Sequence, residues 1–129
     1  MNKGVASMAR GIAAAVLAAL LVAAAGTALH RQSMVISGVD VAWGVCAALL
    51  LLASVQLWLA AWSGSVIPTA VAGVVVYATV GALSSGGRDK QLLLGDAAGN
   101  IWVYGIAAVT LIMLVVASRL VKRWRTAVQ

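Results

Sequence analysis

Few side chains in this chain are of the types that catalyse reactions or bind metals. The 129 residues include one histidine, one cysteine, three aspartates and no glutamate. A zinc site needs three or four nitrogen, sulfur or carboxylate ligands held close together, and His30, Cys46 and the aspartates are scattered along the chain. We therefore predict no metal, no cofactor and no enzymatic activity, and we interpret Cys46 as a small buried apolar side chain.

The composition excludes a soluble fold. Hydrophobic residues make up 64% of the chain and charged residues only 9%, whereas a soluble domain has about 25% charged residues. So few charges cannot cover a surface that faces water. We expect the lipid bilayer as the main partner, together with other membrane subunits or further copies of the chain, and no nucleic acid.

Four apolar stretches are long enough to cross a membrane. A helix that spans the hydrocarbon core needs roughly 17–25 residues, and backbone amides in lipid must be hydrogen-bonded within the segment. The sequence therefore predicts an all-α membrane protein, a four-transmembrane-helix bundle in which residues 1–129 form a single domain. The predicted spans are 12–29, 41–62, 66–83 and 101–118. The alternative is that the first span is a cleaved signal peptide, but the length of this span favours an uncleaved anchor.

The charged residues predict the orientation of the four spans. With four spans, both termini lie on one side. That side has six bases and no acid, namely Lys3, Arg10, Arg119, Lys122, Arg123 and Arg125. All three aspartates lie on the other side. The positive-inside rule predicts that both termini are in the cytoplasm. We expect the membrane to be the cell membrane. Trp43 and Trp102 are predicted to lie in the outer interfacial belt.

Two polar side chains inside the predicted spans are candidates for a functional contact. Gln56 lies in the second span and Tyr77 lies deep in the third. We interpret both as interhelical hydrogen-bonding groups, with a substrate contact at Gln56 as the alternative. The hydroxyl group of Thr110 is expected to bond to a carbonyl of its own helix.

A basic cluster follows the fourth span. It comprises Arg119, Lys122, Arg123 and Arg125, which recur at helical spacing. A basic patch next to a membrane attracts anionic lipids, so we predict that these four residues contact anionic lipids at the cytoplasmic face. Docking of a cytoplasmic partner is the alternative.

The two predicted outer loops have similar patterns. Each has an arginine, then three apolar residues, then glycine and aspartate. The similarity suggests two parallel helical hairpins, or two loops that independently meet the same structural need. In both cases we expect Asp40 and Asp96 to stabilise the starts of the following helices. A polar site formed by Arg31, Asp40, Arg88 and Asp96 is the alternative.

A resemblance adds to this interpretation. Gly95 and Asp96, followed by Gly99 and the aromatic-rich segment 101–105, accompany four short spans. In these features the chain resembles an uncharacterised family of small four-span membrane proteins of high-GC Gram-positive bacteria. The resemblance covers about the last forty residues and the span pattern. It implies a fold and no established activity.

The leading functional hypothesis is an accessory or structural subunit of a membrane complex, without catalytic chemistry. One alternative is a small oligomeric transporter or channel for a neutral or apolar solute, with Gln56 and Tyr77 in its pathway. Another is a holin-like pore former, which the short chain and its basic C-terminal segment also fit.

Overall fold

The computed structural model describes residues 2–29, 32–85 and 97–129. These residues form four helices and one small β-hairpin. The elements in chain order are α1 (Lys3–Leu29), β1 (Met34–Ile36), β2 (Val39–Val41), α2 (Trp43–Ser63), α3 (Ile67–Ser85) and α4 (Ala97–Ala127).

Three of these helices are long and apolar enough to cross a membrane, namely α1, α2 and α4. The apolar part of α3, Ile67–Leu83, is shorter. The prediction of a helical protein with membrane-spanning segments is therefore confirmed in its general form. Helices α1 and α4 also extend beyond their predicted spans, because hydrogen bonding along a helix does not stop where the apolar residues do.

Small residues bring the helices close together. Helix α1 packs against α2 and α3, and α4 packs against the same two helices on the other side. Ala15, Ala19 and Ala23 recur every fourth residue on α1 and are fully buried in the core. Residues at this spacing lie on one face of a helix, and small side chains there let two backbones approach closely.

The end of the bundle that contains the α2–α3 connection is called the turn end below. Gly64 has a φ of 62° and closes the C-terminus of α2, with its N–H donating to the carbonyl of Ala60 at 2.9 Å. A glycine adopts this left-handed conformation without steric cost. The Oγ of Ser65 accepts a hydrogen bond from the N–H of Ile67 at 3.2 Å, at the start of α3. Pro68 follows in the first turn of α3, where a missing N–H does little harm.

The opposite end, called the hairpin end, contains β1 and β2. The strands pair antiparallel, with Val35 opposite Asp40. Ser37 and Gly38 connect them with φ values of 53° and 81°, as in the tight turns that match the twist of a two-stranded hairpin. The expectation for this segment was a loop between two spans, although a Ser-Gly pair between two apolar triplets is a turn signal.

At the hairpin end, the N-cap position of α2 is Ala42, and no side-chain capping hydrogen bond is made there. Asp40, two residues earlier, is therefore not the capping residue, while a favourable effect of its charge on the start of α2 stays a prediction. The prediction that the Trp102 ring faces lipid is wrong. The side chain of Trp102 is 0% exposed, and a Cβ on Gly26 of α1 would overlap its ring. The indole therefore fills the core between α1 and α4.

Candidate functional site

The most prominent buried polar group of the described residues joins three helices. The polar cluster, as we call it, consists of Gln56 on α2, Thr69 on α3 and Thr110 on α4. The Nε2 of Gln56 donates to the Oγ1 of Thr110 at 3.0 Å. The Oγ1 of Thr69 donates to the backbone carbonyl of Gln56 at 3.0 Å. Both hydrogen bonds connect different helices, so the cluster holds α3 and α4 against α2.

The polar cluster lies inside the packed bundle. The side chains of Gln56 and Thr69 are 0% exposed, and Thr110 is also buried. A Cβ on Gly73 of α3 would overlap the side chain of Thr110, so glycine is needed where α3 passes this threonine. Within the described residues, the Oε1 of Gln56 accepts no hydrogen bond. A buried carbonyl oxygen without a partner costs about 1–3 kcal/mol.

The structure gives Thr110 a role that differs from the sequence-based expectation. Its hydroxyl oxygen accepts a hydrogen bond from Gln56, 54 positions away in the chain. Ser54, in contrast, donates to the carbonyl of Leu50 in its own helix at 2.7 Å. No local pattern distinguishes these two arrangements, because both residues lie within apolar helices.

Tyr77 and Gln56 are not brought together. The side chain of Tyr77 is 47% exposed and lines a groove on the outside of the bundle, between α3 and α4. In the part of the chain that the structure describes, its hydroxyl group makes no hydrogen bond to a neighbouring helix. Cys46 is exposed on α2 rather than buried, so the interpretation of this residue as a core side chain is wrong.

The basic residues at the C-terminal end of α4 form a second candidate site. Arg119, Lys122, Arg123 and Arg125 are all exposed, and α4 continues past them to Ala127. Only two of them, Lys122 and Arg125, line a groove of about 410 Å³ against the start of α3. A cation in the last turn of a helix is also favoured by the helix dipole.

The predicted outer-face site is only partly visible. Asp40 is exposed in the hairpin, while Arg31, Arg88 and Asp96 lie outside the described residues. The second outer loop, His30 and Gly95 lie outside them as well. The predicted polar site and the predicted duplication of hairpins both remain predictions.

The described cavities lie around the perimeter of the bundle and not along its axis. Three of them surround the turn end, next to Ser65, Gly64 and Pro68, and the fourth is the groove beside Tyr77. The space between the four helices is filled by buried side chains such as Leu52, Trp102 and Ile106. Comparison with protein-family models, curated proteins and solved structures found no match to this chain.

Proposed function

We propose that this chain is a four-span protein of the cell membrane with both termini in the cytoplasm. The distribution of Lys and Arg supports this orientation. The apolar part of α3, Ile67–Leu83, corresponds to a length of about 26 Å, at the lower end of what crosses a hydrocarbon core of roughly 30 Å. Helix α3 packs against both α1 and α4, which supports the interpretation that α3 crosses the membrane as well.

Labelling of single cysteines with a membrane-impermeant maleimide tests this topology. In a Cys46→Ser background, cysteine at Ser37 is expected to react in intact cells. Cysteine at Ser65 or Thr126 is expected to react only after permeabilisation. All three positions are exposed or half-exposed at the ends of the bundle. Labelling of Ser37 and Ser65 from the same side would contradict a four-span arrangement.

We further propose that the protein acts as an accessory or structural subunit of a larger membrane assembly, without catalytic chemistry of its own. This role is supported by the hydrogen-bond partners of the buried polar groups. The Gln56 amide and the Thr69 hydroxyl hydrogen-bond to other helices of the same bundle, and close-packed side chains surround them. A bundle whose interior is used for its own cohesion acts through its outer surface.

Photo-crosslinking in intact cells tests this role. A photoreactive amino acid is placed at exposed positions on three helices, Leu21, Leu50 and Ile112, with fully buried Leu52 as the control. We expect a crosslinked species of one defined mass from one or two of the exposed positions and none from Leu52. Crosslinks to lipid alone at all three exposed positions would refute a role as a subunit.

A second function, transport of a neutral or apolar solute by an oligomer, is favoured by one observation. The Oε1 of Gln56 accepts no hydrogen bond among the described residues, so a solute that donates a hydrogen bond would satisfy it. In proteoliposomes, glycerol flux measured by light scattering should then fall on Gln56→Leu substitution and persist on Thr79→Val substitution. Equal flux in the wild-type protein, in the Gln56→Leu variant and in empty vesicles would eliminate this function.

A further inference from the structure

Two grooves lie along the line of contact between α3 and α4. The basic groove, at the turn end, is lined by Ser65 and Ile67 on one side and by Ser118, Lys122 and Arg125 on the other, and has a volume of about 410 Å³. Both walls contribute polar groups, while Val66, Ile67 and Val121 help to make most of the accessible lining apolar.

The basic groove has the chemistry of a phosphate-binding site. Lys122 and Arg125 are three residues apart, so both lie on the same face of α4. The Oγ of Ser65 accepts a hydrogen bond from the N–H of Ile67, and the hydroxyl donates to no acceptor among the described residues, so it is available to donate to an anion. The side chains that line the groove include two cations and no acid, and Asp40, the acidic side chain of the described residues, lies in the hairpin at the other end of the bundle. The groove is therefore positively charged and suits an anion.

The second groove, called the apolar groove, continues along the same two helices. It has a volume of about 400 Å³ and is lined by Ala70, Gly73 and Tyr77 of α3 and by Ala107, Thr110 and Leu114 of α4. Small residues on both helices make room for a long, narrow apolar group. The groove is open towards the outside of the bundle, where lipid surrounds a membrane-spanning helix.

The two grooves follow one another directly. On α3, Ala70 follows Ile67 by three residues, and on α4, Ser118 follows Leu114 by four. Each interval is one helical turn, or about 5 Å along the axis. A groove that contains two cations, followed by an apolar groove, matches the order of the headgroup and the acyl chain in an anionic phospholipid.

We propose that the line of contact between α3 and α4 is a binding site for one anionic phospholipid. The phosphodiester lies between Lys122, Arg125 and the Ser65 hydroxyl, and one acyl chain lies in the apolar groove. The proposal rests on the proposed topology only because that topology places the basic groove at headgroup level. The proposal also places two of the four basic residues, Arg119 and Arg123, outside the binding site.

Native mass spectrometry of the full chain tests the headgroup part of this proposal. The protein is purified in a mild detergent with equal amounts of phosphatidylglycerol and phosphatidylcholine, and the ratio of the two retained lipids is measured. Lys122→Gln with Arg125→Gln should lower the preference for phosphatidylglycerol by roughly tenfold or more, since each cation contributes to anionic-lipid binding. Arg119→Gln with Arg123→Gln removes the same charge from the same helix and serves as the matched control.

The control pair should lower the preference by less than about threefold, because these residues contribute only to the diffuse field near the surface. All four residues are exposed, so their replacement leaves the packing intact, and circular dichroism of each variant checks this. Equal losses in the two variants would show a diffuse basic patch and overturn the proposal. No preference for phosphatidylglycerol in the wild-type protein would overturn it as well.

A second variant tests the acyl-chain part. Ala107→Leu places a larger side chain in the apolar groove without changing any charge. We expect it to reduce retention of phosphatidylglycerol with long chains by about tenfold while leaving retention of a short-chain phosphatidylglycerol unchanged. If the variant retained the long-chain lipid as well as the wild-type protein does, the placement of the acyl chain would be overturned. These measurements do not depend on partner proteins, so their failure is distinguishable from failure of the subunit role.

Discussion

Replacement of Thr110 by valine should destabilise this protein more than replacement of Gln56 by leucine, although both changes remove the same hydrogen bond. The bond runs from the Nε2 of Gln56 to the Oγ1 of Thr110. Valine has nearly the shape of threonine but leaves the Gln56 amide buried without this partner. Leucine removes the amide altogether, including the Oε1 that accepts no hydrogen bond from the described residues.

The magnitudes follow from the cost of buried polar groups. Thr110→Val should lower the free energy of unfolding by about 1–3 kcal/mol, the cost of leaving a buried polar group unpaired. Gln56→Leu loses an interhelical bond that contributes about 0.6–1.7 kcal/mol in a membrane, but it also relieves the burial of Oε1. The net change should therefore lie within about 1 kcal/mol of zero. The bond from Thr69 to the Gln56 backbone carbonyl is retained in both variants.

A double-mutant cycle measures the coupling energy between Gln56 and Thr110. Unfolding free energies are obtained in mixed micelles at increasing fractions of a denaturing detergent, with circular dichroism as the readout of helix content. In the Gln56→Leu background, Thr110→Val should cost less than about 0.5 kcal/mol, so the coupling energy should be about 1–2 kcal/mol. Thr79→Val is the matched control, because Thr79 makes no interhelical hydrogen bond in the described part of the chain. A coupling energy near zero, or a loss on Gln56→Leu greater than that on Thr110→Val, would refute this reasoning.

Glycine positions give three further predictions. Gly26→Ala should destabilise the bundle by about 1–3 kcal/mol through overpacking. It should also shift the fluorescence of Trp102, because the ring of Trp102 occupies the space of the new Cβ. Unchanged stability and emission would contradict the packing of this indole. Gly44→Ala should be at least as damaging, because its Cβ would meet a backbone oxygen of α1. A Cβ on Gly81 would meet no described atom within 4 Å, so Gly81→Ala should be neutral or stabilise by up to about 1 kcal/mol. Equal melting temperatures of the Gly44→Ala and Gly81→Ala variants would argue against the close approach of α1 and α2. Gly38→Val should speed amide hydrogen exchange in β1 and β2, since valine disfavours a φ of 81°, and unchanged exchange rates would exclude the tight turn.

Hydropathy was sufficient to predict the positions of the helices but not their ends. Apolar run length identifies where a chain prefers lipid, and the predicted spans 12–29 and 101–118 lie within α1 and α4. Both helices continue into polar segments, since Lys3 and Arg125 fit a helix as well as any apolar residue does. The same criterion predicted four spans, whereas, within the described residues, the structure has three helices that are long and apolar enough to cross a membrane and a shorter apolar segment in α3.

Contacts between distant helices were the part that could not be predicted. Gln56 was identified as a polar residue in an apolar span, but its partner Thr110 depends on how α2 and α4 are oriented towards one another. Trp102 shows the same limitation. Tryptophan near the end of a span typically lies at the interface, yet here the neighbouring α1 has a glycine opposite it, and the indole enters the core.

The central proposal, that this chain is one subunit of a larger membrane assembly, is tested most directly by the mass of the particle that contains it. Native mass spectrometry of protein ejected from vesicles of the original membrane measures that mass without prior choice of a partner. We predict a defined complex in which the 13.1 kDa chain is present in whole-number ratio with further copies or with another membrane protein. A particle that contains a single chain and lipid alone would contradict the proposal.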